Sequence, residues 1–147
     1  HNPKRFISPA DSKVLAYDIT DDLMLTIKGS TYDLNELVNN EEDLSEFKNG
    51  KCLVFRLCVD DYHHYCYPDS GTLLKKGFIK GKLHTVRSIS SEYEIYKTNQ
   101  REYSIIETEN FDKIVYIEVG AMMVGKIVNN ITKEFSGLLV YKPFSFI

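Results

Sequence analysis

The chain has no tryptophan, an odd number of cysteines (three) and no long apolar run. A helix that crosses a bilayer needs about 18 or more consecutive apolar residues, and three cysteines do not suggest a disulfide framework. The net charge of −3 provides no basic surplus of the kind that nucleic-acid-binding domains carry. These absences predict a protein of a reducing, intracellular compartment, either cytoplasmic or attached peripherally to a membrane, without a nucleic-acid partner.

Most of the sequence consists of short segments rich in β-branched and aromatic residues, separated by Gly, Asn, Asp or Ser. The 147 residues match the length of one domain with its own core. Strands at such close spacing predict an all-β fold of the antiparallel sandwich or barrel type. The predicted strands span residues 14–17, 23–27, 52–58, 71–79, 82–89, 94–97, 103–108 and 113–119.

One segment, residues 34–48, has apolar residues spaced for one face of a helix. Asp33 with Glu36 resembles a capping box at its start, and Gly50 follows its end. The pattern predicts a helix on the surface, in a fold with one or two short helices. The acidic run at 39–46 would then be the solvated side of that helix.

Residues 60–68 read Asp-Asp-Tyr-His-His-Tyr-Cys-Tyr-Pro and directly follow the apolar segment 52–58. The even spacing of Cys52 and Cys58 predicts that both are small core residues on one face of that strand. Loops at strand ends often carry functional residues. A His-x-x-Cys spacing with His84 far along the chain is too loose for a zinc site, so no metal is predicted.

Five segments, in order, resemble landmarks of the phosphatidylserine decarboxylases. These pyruvoyl-dependent lyases convert phosphatidylserine to phosphatidylethanolamine and carbon dioxide in phospholipid biosynthesis. The resemblance covers nearly the whole chain and implies a barrel-sandwich hybrid fold. The segments are 8–14 (Ser-Pro-Ala-Asp-Ser-Lys-Val), 61–68 with Gly71, 81–86 (Gly-Lys-Leu-His-Thr-Val), 99–102 (Asn-Gln-Arg-Glu) and 119–127 (Val-Gly-Ala-Met-Met-Val-Gly-Lys-Ile).

The resemblance implies a chemistry for these residues. In the family, a serine of a Gly-Ser-Thr segment attacks its own backbone with the help of a histidine that an aspartate orients. The pyruvoyl group left behind then acts as an electron sink for a substrate amine. By resemblance, Asp11 falls at the orienting aspartate, His63 at the loop histidine near the substrate, and Cys66 at the histidine of the self-cleavage triad.

Three further residues are candidates for substrate binding. Tyr62 and His64 flank His63, although a surface histidine such as His64 more often has no ligand. Arg101 lies in the fourth landmark, and its guanidinium suits a phosphate or carboxylate. As an exposed strand cation it could equally contribute to solubility alone.

Two positions depart from the family. A thiol at Cys66 lacks the second ring nitrogen by which an aspartate holds an imidazole. In the tail, Lys142-Pro143 stands where the family has Gly-Gly, Phe144 stands at the reactive serine, and Ser145 comes one place late. A slip of one residue would turn Ser145 to the opposite face of the strand.

We therefore expect residues 1–147 to be a single domain like the family's β chain, without a Gly-Ser-Thr processing segment and without an α chain after Ile147. Such a polypeptide would not cleave itself or carry a pyruvoyl group. One hypothesis is a decarboxylase whose active form needs a separate or missing α chain. The other is a non-catalytic relative that binds an aminophospholipid headgroup, a small amine or a decarboxylase subunit, alone or as a homo-oligomer.

Overall fold

The computed structural model describes residues 8–27, 30–58, 60–82, 98–120, 134–135 and 144–146. This part of the chain is almost entirely β-strand, which confirms the predicted all-β class. Its helices are α1 (Leu34–Leu37) and a 3₁₀ helix (Ser45–Phe47). The strands are β1 (Lys13–Asp18), β2 (Met24–Ile27), β3 (Ser30–Asp33), β4 (Lys51–Arg56), β5 (Gly71–Ile79), β6 (Arg101–Thr108), β7 (Lys113–Val119), β8 (Glu134–Phe135) and β9 (Phe144–Phe146).

The strands form three sheets. The first has the order β1-β4-β9, the second is the β2-β3 hairpin, and the third has the order β7-β6-β5-β8. All pairings are antiparallel except that of β4 with β9, which is parallel. The antiparallel prediction is therefore confirmed for most of the described strands.

The predicted strands 71–79 and 113–119 begin and end where β5 and β7 do. The short polar strand β3 was not predicted, because its strand character comes from pairing with β2 rather than from its own sequence. The predicted strand 94–97 and nearly all of 82–89 lie outside the described residues. Lys82, the first residue of the predicted strand 82–89, is described and forms an isolated β-bridge with Asn99.

The prediction of one helix over residues 34–48 is wrong. Asp33 caps α1 as expected, accepting the Asn35 backbone N–H at 2.7 Å. After one turn, however, Asn39 and Asn40 both adopt φ of 57°, a left-handed conformation that stops a right-handed helix. The Asn35 side chain then accepts the Leu44 N–H at 3.2 Å, which folds the acidic segment back before the 3₁₀ helix.

The core has two parts, and β4 contributes to both. Cys52 and Val54 belong to the larger cluster, with the hairpin, α1 and one face of β6 and β7. Leu53 belongs to the smaller cluster on the other face, with Ile106. β4 is therefore covered on both faces. Cys58, in contrast, lies beyond the end of β4 and is only half-buried, so its predicted place in the core is wrong.

Gly77 is required by close packing across the third sheet. A Cβ atom there would lie 2.1 Å from Cε1 of Tyr103, which is far inside van der Waals contact. The space lets the buried Tyr103 ring extend to the acidic segment, where its hydroxyl bonds to Glu42 at 2.7 Å and Glu41 at 3.1 Å. The run at 39–46 is therefore partly tied to the sheet rather than wholly solvated.

Arg101 is buried, with 2% of its surface exposed, so the expectation of an exposed strand cation is wrong. Its Nε donates to the Leu37 carbonyl and its Nη1 to the Asn99 carbonyl, both at 2.8 Å. The Asn99 side chain in turn donates to the Gly120 carbonyl at 2.7 Å. These bonds join two of the five landmark segments, 99–102 and 119–127, to each other and to α1.

We expect Arg101→Ala to lower the free energy of unfolding by about 3 kcal/mol, because two buried carbonyls lose a charged donor. Arg56→Ala is the matched control, since the Arg56 side chain is half-buried and its recorded contact is Cys58 Sγ at 3.9 Å. That control should lose less than about 1 kcal/mol. Urea denaturation measures both values, and equal losses would show that the two carbonyl bonds have no special weight.

Candidate functional site

The loop 60–68 is held against the N-terminal landmark by backbone contacts. Ala10 forms an antiparallel bridge with Tyr65, and the Cys66 N–H donates to the Pro9 carbonyl at 2.9 Å. The Asp11 carboxylate accepts the Tyr62 N–H at 3.2 Å. Two landmarks that are about fifty residues apart in sequence therefore meet in space. The role of Asp11 as the orienting aspartate stays a prediction.

A tight turn after β4 sets the direction of the loop. The Asp61 carboxylate accepts the Cys58 N–H at 2.5 Å, and the Asp61 N–H donates back to the Cys58 carbonyl at 3.0 Å. The Asp61 carbonyl lies 2.8 Å from Nδ1 of His63. Because a carbonyl only accepts, Nδ1 must carry the proton, and in the neutral ring Nε2 is then the acceptor. His63 is exposed, so Nε2 is placed to exchange a proton with a ligand.

Cys66 has a different environment from that of an activated thiolate. Its Sγ lies 3.6 Å from the Pro9 carbonyl oxygen, to which only a protonated thiol can donate. Partial burial raises the pKa of the Cys66 thiol above its ordinary value. The thiol at the position of the triad histidine therefore stays protonated at neutral pH and is a poor base.

Tyr62 and His64 both point out of the loop and stack on each other, with ring centroids 4.5 Å apart and an interplanar angle of 26°. Tyr62 is 67% exposed. The pair is open to a ligand, and its role in binding stays a prediction. Arg101 is not brought to this loop, since its guanidinium is used by Leu37 and Asn99.

Sequence reasoning missed the tyrosines that hold the underside of the loop. The rings of Tyr65 and Tyr67 tilt onto Tyr116 of β7, with centroids 5.8 and 5.5 Å away. Burial, followed by the nearby Glu118 carboxylate, raises the pKa of all three phenols, so they stay neutral. The i, i+2 spacing of Tyr65 and Tyr67 was the available signal, because such residues share a face in extended chain.

The tail of the chain differs from the family's processing segment that the resemblance implies. Lys142 and Pro143 lie outside the described residues. In β9, Phe144 pairs with Lys51 and Ser145 with Cys52, in parallel register. Ser145 is thus held within a paired strand, next to phenylalanines rather than glycines, and the residues present do not fit the segment from which a pyruvoyl group is made.

Across the described ranges, no group of three or more His, Cys, Asp or Glu side chains is placed to hold a metal ion. His84, the third member of the loose zinc pattern, lies outside those ranges. In the part of the chain that the structure covers, no helix has both the length and the apolar character needed to cross a membrane.

Comparison with known proteins agrees with the landmarks. The family model for phosphatidylserine decarboxylase matches residues 1–142. Phosphatidylserine decarboxylase proenzyme 2 of Clostridium acetobutylicum is 55% identical over 130 residues, which are 88% of this chain and 45% of the relative. The proenzyme of Clostridium tetani is 43% identical over 140 residues, 92% of this chain and 47% of the relative.

A third relative, the phosphatidylserine decarboxylase proenzyme of Desulfitobacterium hafniense, is 40% identical over 129 residues, 86% of this chain and 43% of the relative. The chain thus spans a little under half the length of the curated relatives it matches. Together with the paired landmarks around the histidine loop, the match over residues 1–142 shows that this chain belongs to the phosphatidylserine decarboxylase family.

Proposed function

We propose that this chain is a phosphatidylserine decarboxylase-type domain that binds the headgroup of an aminophospholipid, or a similar small amine, at the loop 60–68. We propose further that this polypeptide does not form a pyruvoyl group. The second proposal depends mainly on one contact, the hydrogen bond from the Cys66 thiol to the Pro9 carbonyl. The family chemistry that the resemblance implies needs a base at position 66, which is Cys66 in this chain.

Two properties of the chain support the absence of self-processing. The raised pKa of Cys66 leaves little thiolate at neutral pH, and a thiol offers no second nitrogen for Asp11 to hold. The tail adds an independent obstacle, because Phe144 has no hydroxyl to attack the preceding carbonyl. Pro143 also restricts φ where the family has the most permissive residue.

The exposed side chains of the loop support headgroup binding. His63 offers Nε2, because its Nδ1 proton is used by the Asp61 carbonyl. The stacked ring of Tyr62 presents a π face that attracts an ammonium group, and the exposed Asp60 adds a carboxylate nearby. A small zwitterionic headgroup, with an amine and an acidic group, matches this set of donors and acceptors.

A second candidate is a decarboxylase whose active form takes its pyruvoyl group from a separate α-chain-like segment. Its support is the retained pair of Asp11 and His63, held together through the Tyr62 N–H and the loop turn. In that assembly this chain would supply the headgroup site and the partner would supply the electron sink.

We expect purified protein to run as one species of 17.0 kDa by intact-mass analysis, because neither Cys66 nor Phe144 can support backbone cleavage. Borohydride in the presence of a serine headgroup should leave that mass unchanged, since no ketone is available to form a Schiff base. Two fragments, or a mass increase after reduction, would contradict the proposal for this polypeptide.

In a Cys52→Ser/Cys58→Ser background, alkylation of Cys66 should be slow at pH 7. Because only the thiolate reacts, the alkylation rate should rise with pH. It should reach half its maximum at a pH above the ordinary pKa of a cysteine thiol, about 8.5. Iodoacetamide kinetics measured from about pH 6 to about pH 10 give the dependence of the alkylation rate on pH. A midpoint below the ordinary value would mean that Cys66 is an activated thiolate.

Titration with glycerophosphoserine, followed by isothermal titration calorimetry in the parent and in every variant, tests the headgroup site. His63→Ala should weaken binding about tenfold, the equivalent of one good hydrogen bond. Asp11→Ala should do the same by releasing the Tyr62 N–H, whereas Asp11→Asn keeps an acceptor oxygen and should bind within about threefold of the parent. Unchanged affinity in both alanine variants would place the ligand elsewhere.

A further inference from the structure

The face of the third sheet beneath the loop 60–68 carries two carboxylates. Glu102 of β6 and Glu118 of β7 lie directly opposite each other, and residues that are opposite in a sheet share a face. Tyr116 lies two residues before Glu118 on the same strand and therefore shares that face as well. Because two tyrosines of the loop tilt onto Tyr116, this is the face that the loop covers.

The two carboxylates differ in their surroundings. The Glu102 carboxylate is paired with Lys76 of β5, whose Nζ lies 2.9 Å from Oε2. Both carboxylate oxygens of Glu118, in contrast, have almost no surface open to water, and this carboxylate lies among the phenols under the loop. A carboxylate that is withdrawn from water needs hydrogen-bond donors around it. The hydroxyls of these tyrosines are donors of that kind.

Tyr65 is the loop residue that connects Glu118 with the backbone of the site. Burial raises the pKa of the Tyr65 phenol, and the Glu118 carboxylate, within hydrogen-bonding reach of its hydroxyl, raises that pKa further. The backbone of Tyr65 forms the antiparallel bridge with Ala10. The next residue, Cys66, donates its N–H to the Pro9 carbonyl at 2.9 Å. One residue is thus held both by its side chain and by its backbone.

Ring packing and a contact with a charged acceptor restrain the loop to different degrees. The rings of Tyr65 and Tyr116 are tilted by 33°, with centroids 5.8 Å apart, and such aromatic contacts tolerate a range of geometries. A hydrogen bond to an ionised acceptor is directional and about twice as strong as one between neutral groups. The Glu118 carboxylate therefore selects one position of the Tyr65 side chain among those that the ring contacts allow.

We infer that Glu118 is a positioning residue for the headgroup site, because its carboxylate holds the Tyr65 side chain beneath the loop 60–68. Glu118 acts through Tyr65 and does not itself contact the ligand. Since His63 lies two residues before Tyr65, a loop fixed at Tyr65 also fixes the direction in which the His63 ring is presented. The inference rests on the proposed headgroup function and names a charged group, outside the loop, on which that function depends.

The test is amide hydrogen exchange, followed by NMR on the 147-residue chain without ligand. Glu118→Leu removes the acceptor, so the Cys66 N–H, which reports the bond between the loop and Pro9, should exchange about tenfold faster. Glu118→Gln keeps an acceptor oxygen and should stay within about threefold of the parent. Glu107→Leu is the matched control, because it makes the same change at an exposed position of β6. It should stay within about twofold.

The amides of β6 and β7 separate positioning from a general loss of stability. They should keep the parent's exchange rates in Glu118→Leu, whereas general destabilisation would speed exchange in strands and loop alike. Tyr65→Phe, which removes the hydroxyl alone, should reproduce the change at Cys66. Added to Glu118→Leu, it should contribute less than about twofold more, because both substitutions remove the same contact.

Tyr65→Phe also decides the result if Glu118→Leu does not fold. Its matched control is Tyr17→Phe, since Tyr17 is a half-buried tyrosine of β1, in another sheet. The control should leave exchange at Cys66 within about twofold of the parent. Equal exchange at Cys66 in the test and control variants, or full additivity of Tyr65→Phe and Glu118→Leu, would overturn the inference.

Calorimetry with glycerophosphoserine connects loop position with the ligand. Glu118→Leu should weaken binding about tenfold and Glu118→Gln by less than about threefold. Parent-like affinity in Glu118→Leu would also overturn the positioning role. If the parent itself fails to bind this ligand, the proposed headgroup function fails, while the exchange rates at Cys66 still decide whether Glu118 holds the loop.

Discussion

The candidate site depends on the pairing between residues 9–11 and the loop 60–68. One bridge and two backbone N–H bonds connect these segments, and each satisfies a polar group that would otherwise need water. The turn that Asp61 makes with Cys58 orients the same loop from its other end. The position of His63 is thus decided by backbone contacts on either side of it rather than by its own side chain alone.

The loop also needs a surface to lie on, and the third sheet supplies it. Alternate residues of β6 and β7 face the two core clusters, so one sheet both closes the main core and supports Tyr65 and Tyr67. Well-packed aromatic side chains restrict a loop more than solvated contacts do. The arrangement explains why a segment so rich in tyrosine follows the apolar strand β4.

The landmark segments that identify the family are joined by backbone and buried side-chain contacts in this chain. The scaffold contacts persist around Asp11, His63 and the paired landmark segments, including the buried links of Arg101 and Asn99. The chemistry implied by the resemblance needs a base at Cys66 and a serine at Phe144. This chain has a thiol and a phenylalanine at those two positions, and a protonated thiol is a poor base. The consequence for self-processing stays a proposal.

The resemblance to the family implied that Asp11 and His63 belong to one site. Local pattern alone determined the all-β class, the bounds of β5 and β7, and the cap at Asp33. These follow from strand alternation and turn chemistry, which act over a few residues. Tertiary structure decided the rest: the break at Asn39 and Asn40, the burial of Arg101 and the contacts of Tyr65 and Tyr67 with Tyr116. Arg101 meets Leu37, and the two loop tyrosines meet Tyr116, far away in sequence. The free energy that places these side chains comes from long-range burial and hydrogen bonding, which no local period encodes.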